Sequence, residues 1–164
     1  MLIIVCGLPG SGKTTLAQAV ARDLCAVHVS SDITRKSMYP SPTYTPQEKA
    51  TVYTSMAAEA ESLVRQGKDV VADATFYREA ERERFAAIAR AAGTEAFVIM
   101  TVLAEDEIRK RLARRQKGGP SDADFSVYFR MKGLFEPVSG RHLVVDSSLG
   151  ERDKVRMVRD FVGR

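Results

Sequence analysis

The chain's 164 residues suit one compact domain, expected over 1–164, and leave no room for two ordinary ones. With 45% hydrophobic and 28% charged residues it has the balance of a soluble globular protein, and no run approaches the roughly 18 apolar residues that span a membrane. A formal charge of +4 suits an anionic partner, and the opening MLIIVCGLPG, short and without a basic flank, does not read as a secretory leader, so a cytoplasmic setting is expected.

The elements follow in order. Leu2–Cys6 is a short, wholly apolar strand, and residues 7–12 form a glycine-bearing loop. A helix over 14–24 carries Leu16, Val20 and Leu24 at helical spacing, and a second strand runs over 26–29. Met38 to Tyr44 is a proline-bearing loop. Thr45-Pro46-Gln47-Glu48 then reads as a capping box with proline at the first helical position, opening a helix that ends near Gly67. A third strand over 70–72 precedes a charged amphipathic helix over 79–92, stopped by Gly93. A strand over 96–103, a very charged helix over 105–116, a helix over 121–134, a strand over 142–145 and a helix over 151–162 complete the chain. Near-continuous apolar strands alternating with helices predict an α/β fold. It should have three layers, α/β/α, around about five mostly parallel strands. Right-handed crossovers put every strand's carboxyl end on one edge, where ligands bind in such sheets. Cys6 and Cys25 read as two reduced core thiols, and no cluster of residues suggests a transition-metal site.

Gly7-Leu8-Pro9-Gly10-Ser11-Gly12-Lys13-Thr14 matches the phosphate-binding pattern GxxxxGK[ST] in full, between a strand and a helix. Glycines let successive backbone N–H groups converge on phosphate oxygens, and the helix N-terminus adds partial positive charge. The nucleotide set is therefore Gly10, Ser11, Gly12, Lys13, Thr14 and Thr15, holding ATP. Lys13 should reach the β- and γ-phosphates and Thr14 should ligate Mg²⁺. Asp73, ending the third strand in VVAD, fits the acid that supports Mg²⁺ through water or by orienting the hydroxyl of Thr14; the plainer reading is a strand-terminating Asp. The DxxG and NKxD motifs of a GTPase are absent.

The ordered set GLPGSGKTT, SSDITRK, VVADATF and RKRLARR resembles the P-loop kinases grouped with polynucleotide 5′-kinases and zeta-toxin-like kinases, an AAA-type ATP-binding kinase domain. The resemblance runs from Leu2 to about Val145. It implies transfer of the γ-phosphate of Mg·ATP to an acceptor hydroxyl, either a polynucleotide 5′-OH end or a small metabolite such as a sugar, nucleotide-sugar or antibiotic. A regulatory ATP-binding module that hydrolyses ATP slowly is the other class. By that likeness Asp32 accepts the proton of the attacking hydroxyl, Arg35 holds a phosphate of the acceptor, and Thr75 contacts the acceptor. The resemblance also gives Arg111 and Arg115, four residues apart on one helix face, as cations of a lid over about 105–135, hinged at Gly118-Gly119-Pro120. Phe76 departs from the DATN signature of that group and is read either as an aromatic acceptor contact or as core. From spacing alone, Asp32 could equally cap a short helix. Arg78, Arg82 and Arg84, interleaved with Glu79, Glu81 and Glu83, read as a solvated mixed-charge face. Asp146-Ser147-Ser148 is expected near the nucleotide base.

Overall fold

The computed structural model describes residues 1–114 and 125–164. Its strands are β1 (Leu2–Cys6), β2 (Val27–Ser30), β3 (Val70–Asp73), β4 (Ala96–Val102) and β5 (His142–Asp146), and its helices are α1 (Lys13–Asp23), α2 (Ser31–Met38), α3 (Pro46–Arg65), α4 (Glu79–Ala91), α5 (Glu105–Ala113), α6 (Phe125–Leu134) and α7 (Glu151–Val162). All pairs in the sheet are parallel, in the order β2-β3-β1-β4-β5.

The central strand explains the three layers. Every residue of β1 is buried, so its alternating side chains must be covered on both faces. Leu2, Ile4 and Cys6 pack with Val52, Met56 and Ala60 of α3 and Phe85 of α4. Ile3 and Val5 point the other way, onto Leu16 and Val20 of α1 and Val158 and Val162 of α7. A smaller cluster of Ile108, Leu112 and Tyr128 ties α5 to α6 and to Leu8 of the phosphate loop.

Local chemistry fixes the helix starts. Thr45 Oγ1 accepts the Glu48 N–H at 3.2 Å and Pro46 occupies the first turn, so half of the expected capping box forms. The other half does not, because the Glu48 carboxylate is turned to Arg35 and to the loop ahead of α3. One helix was expected only as an alternative, a short one capped by Asp32: Ser31–Met38 buries only Thr34 and Arg35, leaving Ile33 and Met38 exposed. Without an apolar stripe, this segment gives periodicity nothing to detect. Cys6 lies in the core, where burial pushes its thiol up to about 11, but Cys25 is exposed at a turn, contrary to the expectation of two core thiols. Among the described residues no helix is long and apolar enough to cross a membrane.

Candidate functional site

The carboxyl ends of β1, β2 and β3 open into one cleft of about 1060 Å³. One end of it is the phosphate loop. Gly7 and Gly12 adopt φ of +142° and +93°, conformations that L side chains rarely take. Both are also crowded: a Cβ on Gly7 would lie 2.6 Å from the Thr101 carbonyl oxygen, and one on Gly12 would lie 2.7 Å from Ser147 Oγ. The loop is braced by a Ser11–Thr101 hydroxyl pair at 2.6 Å. Lys13 Nζ donates to the Leu8 carbonyl at 3.0 Å, which sets the ammonium on the loop itself. Gly10, Gly12, Lys13, Thr14 and Thr15 all line the cleft, while Ser11 is buried behind it. Arg111 donates to the Ser147 carbonyl at 3.2 Å, and its guanidinium lies 3.4 Å from where a Gly12 Cβ would be. Ser147 is buried with its hydroxyl unpartnered, so the 146–148 turn abuts the phosphate loop. Arg115 and Gly118-Gly119-Pro120 lie outside the described residues.

Register brings the acids in. Asp73 pairs with Val5 on one side and Ser30 on the other, so β3 carries its carboxylate to the level of the loop. Asp73 is 2% exposed, receives Ser30 Oγ at 3.5 Å, and has His28 Nε2 3.4 Å away. Asp32 is the second residue of α2, half-buried and lining the cleft, with Ser30 rather than Asp32 at the cap position. Its carboxylate is favoured there by the helix N-terminus. No group of three or more His, Cys, Asp or Glu able to hold a metal occurs among the described residues. Thr14 and Asp73 nonetheless fit Mg²⁺, which is ordinarily held by one or two protein oxygens together with substrate phosphates and water. When bound, that ion supplies charge neutralisation to the phosphates.

The far end of the cleft is built from α2, α3, α4 and α6. Arg35 is 8% exposed and ion-paired to Glu48, with its guanidinium 4.9 Å from the Tyr44 ring centre. Burial alone would raise the Glu48 carboxyl, but hydrogen bonds from Arg35 and from Thr43 hold it at about 2. Lys49 lies 3.5 Å from the Tyr77 ring centre and 4.8 Å from that of Tyr53, and pairs with Glu81. Thr75 lines the cleft and Phe76 does not. Phe76 is fully buried, packed edge-on between Tyr53 and Phe85, with φ of +44°. The aromatic acceptor contact assigned to it is thus corrected to a core position, because the backbone turn sends Thr75 and Tyr77 to the cleft and Phe76 inward.

The family model described as an AAA domain matches residues 2–138. The chain belongs to the AAA domain family. No curated protein matches it. Among solved structures, this AAA domain is similar to the Mycobacterium tuberculosis APS kinase CysC in complex with AMPPNP and APS, at 16% identity and a TM-score of 0.76 over 99% of this chain and 97% of that one. It is also similar to a gluconokinase from Sinorhizobium meliloti, at 18% identity and a TM-score of 0.72 over 99% and 91%. Chaetomium thermophilum Kti12 in complex with ADP-AlF3 matches at 22% identity and a TM-score of 0.73 over 99% and 97%. At these identities the likeness establishes a shared three-layer fold.

Three arginines of the AAA domain part company after Phe76. Arg82 is 3% exposed and donates to the carbonyls of Phe76 at 2.7 Å, Glu136 at 3.1 Å and Pro137 at 2.7 Å, so it is a buried staple and not part of a solvated face. Arg78 and Arg84 are exposed but line the cleft, as does Arg130 of α6. Sequence reading singled out neither Lys49, Tyr77 nor Arg130. The only signal available was the cation run after Phe76, whose alternation with glutamates resembled an ordinary solvated helix.

Proposed function

We propose that this AAA domain is an ATP-dependent phosphotransferase that moves the γ-phosphate of Mg·ATP onto an acceptor hydroxyl. The observation that carries the reading is one cleft lined by Lys13, Thr14, Asp32 and Asp73, with phosphate-loop groups at one end and a cationic, aromatic chamber at the other. The backbone N–H groups of Gly10 to Thr15 cradle the nucleotide phosphates and Lys13 neutralises charge on the β- and γ-oxygens. Thr14 and Asp73 hold Mg²⁺. Asp32 orients the acceptor hydroxyl and takes its proton as the new P–O bond forms and the bond from the γ-phosphorus to the β,γ-bridging oxygen breaks, releasing ADP. Arg111, whose guanidinium stands beside Gly12 of the phosphate loop, stabilises the transferring phosphoryl group. Thr75 and Arg35 line the acceptor side, Arg35 with its charge already balanced by Glu48.

Acceptors of two kinds fit a hydroxyl nucleophile: a polynucleotide 5′-OH end and a small metabolite. The small acceptor is favoured by α6, whose Val127, Met131 and Leu134 form an apolar wall of the chamber that a phosphate-bearing strand has no use for. Phe76 supports the same choice, being core where the nucleic-acid-directed signature has a polar residue.

The test is label transfer from γ-labelled ATP with Mg²⁺ to a 5′-hydroxyl oligonucleotide and, separately, to sugars, nucleotide-sugars and hydroxylated antibiotics. The expected result is labelled small acceptor, abolished by Lys13→Ala and lowered at least about 100-fold by Asp32→Asn at unchanged ATP affinity. Steady ATP hydrolysis indifferent to every acceptor would instead assign a slow ATPase module.

A further inference from the structure

Five cations line the acceptor end of the cleft, and they are not equivalent. Two are already neutralised: Arg35 by Glu48, and Lys49 by Glu81 between two tyrosine rings. The guanidinium groups of Arg78, Arg84 and Arg130 form no ion pair among the described residues, although the Arg78 backbone N–H donates to the Glu81 carboxylate at 3.4 Å. Arg84 has only a 3.3 Å contact from its guanidinium to Thr54 Oγ1, and Arg78 only the Tyr77 ring at 5.4 Å. They come from two elements, the head and body of α4 and the middle of α6, yet face one chamber. The other two carboxylates lining the cleft, Asp32 and Asp73, stand at the ends of β2 and β3, on the phosphate-loop side. Arg35 itself lies in the wall of this cleft, more than nine-tenths buried, with its charge held by Glu48.

Uncompensated guanidinium groups collected on a concave surface are a receptor for oxyanions, because their forked donors match two acceptor oxygens at once. We propose that the acceptor is itself an anion: besides the hydroxyl that reacts at Asp32, it carries a phosphate, sulfate or carboxylate group that Arg78, Arg84 and Arg130 receive. The inference deepens the kinase reading and rests on it for the identity of the reacting hydroxyl. It also moves anion recognition from Arg35, whose charge is taken, to the rim formed by α4 and α6. The three arginines select acceptors by charge and set the distance between the anion and the hydroxyl presented to the γ-phosphate.

The experiment compares acceptors that differ only in the anionic group, using protein loaded with Mg²⁺ and AMPPNP. The pairs are thymidine 3′-phosphate against thymidine and gluconate against sorbitol, with inorganic sulfate as the minimal probe and a 5′-hydroxyl oligonucleotide to distinguish a nucleic-acid source. Equilibrium binding should favour the charged member of at least one pair by about tenfold or more, the worth of one good charge-assisted contact. Arg78→Ala, Arg84→Ala and Arg130→Ala should each remove most of that preference without weakening the neutral member. All three side chains are exposed, so the fold survives their loss, and Arg156→Ala on α7, outside the cleft, serves as the unchanged control. Equal binding of charged and neutral members, no binding of any probe, or equal losses for both members in the arginine variants would each overturn the proposal. The same pairs offered with γ-labelled ATP keep the two readings apart. Arginine-dependent anion binding without transfer to anything sinks the kinase and leaves the anion site. Transfer to neutral acceptors as fast as to charged ones sinks the anion site and leaves the kinase.

Discussion

At Gly7 the space for a side chain is already taken by the Thr101 carbonyl, 2.6 Å from where a Cβ would lie. Backbone cannot swing aside as a side chain can, and φ of +142° is strained for any L residue. Gly7→Ala is therefore expected to cost about 3 kcal/mol and to disturb nucleotide binding, read as a lowered denaturation midpoint and a weakened AMPPNP affinity. Glu48 gives a different kind of prediction. Its folded-state pKa is held near 2, below the usual carboxylate value, so the anion contributes stability that is complete above about 4.5 and is lost as the pH falls toward 2. Glu48→Gln should lower the melting temperature at neutral pH, and the gap between variant and parent should close across that acid window. A gap that stays constant from neutral pH to pH 2 would show that Glu48 acts through packing alone.

Arg82 couples two elements. Its guanidinium ties the turn after β3 to the 136–137 segment that leads away from α6, satisfying three backbone carbonyls at once. Arg82→Met, similar in length but without donors, leaves those carbonyls unsatisfied and is expected to cost roughly 3–5 kcal/mol, seen as a melting point lowered by about 10 °C. Amide exchange should speed up around Glu136, whose N–H donates to the Tyr77 carbonyl at 2.8 Å. Nothing in the sequence separates Arg82 from its neighbours: RxxxRxR among glutamates has the same charge pattern whether one guanidinium is buried or none is. The strands were legible because β1, β3 and β4 are apolar runs bounded by turns, and α3 because Thr45-Pro46 announces its start. Helix α2 was not, since a two-turn helix that buries a threonine and an arginine carries no periodic signal. The phosphate loop was readable because its chemistry demands particular residues at fixed spacing, and Asp32 and Asp73, named with it, both line the cleft. The far end of the cleft was not, since Lys49, Tyr77 and Arg130 are separated in sequence and are brought together only when α3, α4 and α6 fold over one strand edge. Phe76 shows the limit from the other side: its alternative reading as core is the one the backbone turn selects.

For the whole molecule, sheet order places the loop-bearing β1 in the centre, between β3 and β4. A ligand gripped there should stabilise the entire domain. At one hundred times its dissociation constant, Mg·AMPPNP is expected to add about 2.7 kcal/mol, or roughly 5–10 °C of melting temperature, and to add nothing comparable to Lys13→Ala. The far end of the cleft, proposed to take the acceptor, is lined instead from α2, α3, α4 and α6. Central machinery and peripheral pocket are therefore built from separate stretches of one chain. Apart from Asp32 and the Arg82 staple, substitutions in residues 31–49 and 77–84 leave the cradle for the triphosphate untouched, so substrate preference can change while nucleotide binding is kept. A chimera that receives 31–49 and 77–84 from another member of the fold should adopt the donor's substrate preference and retain the host's nucleotide affinity.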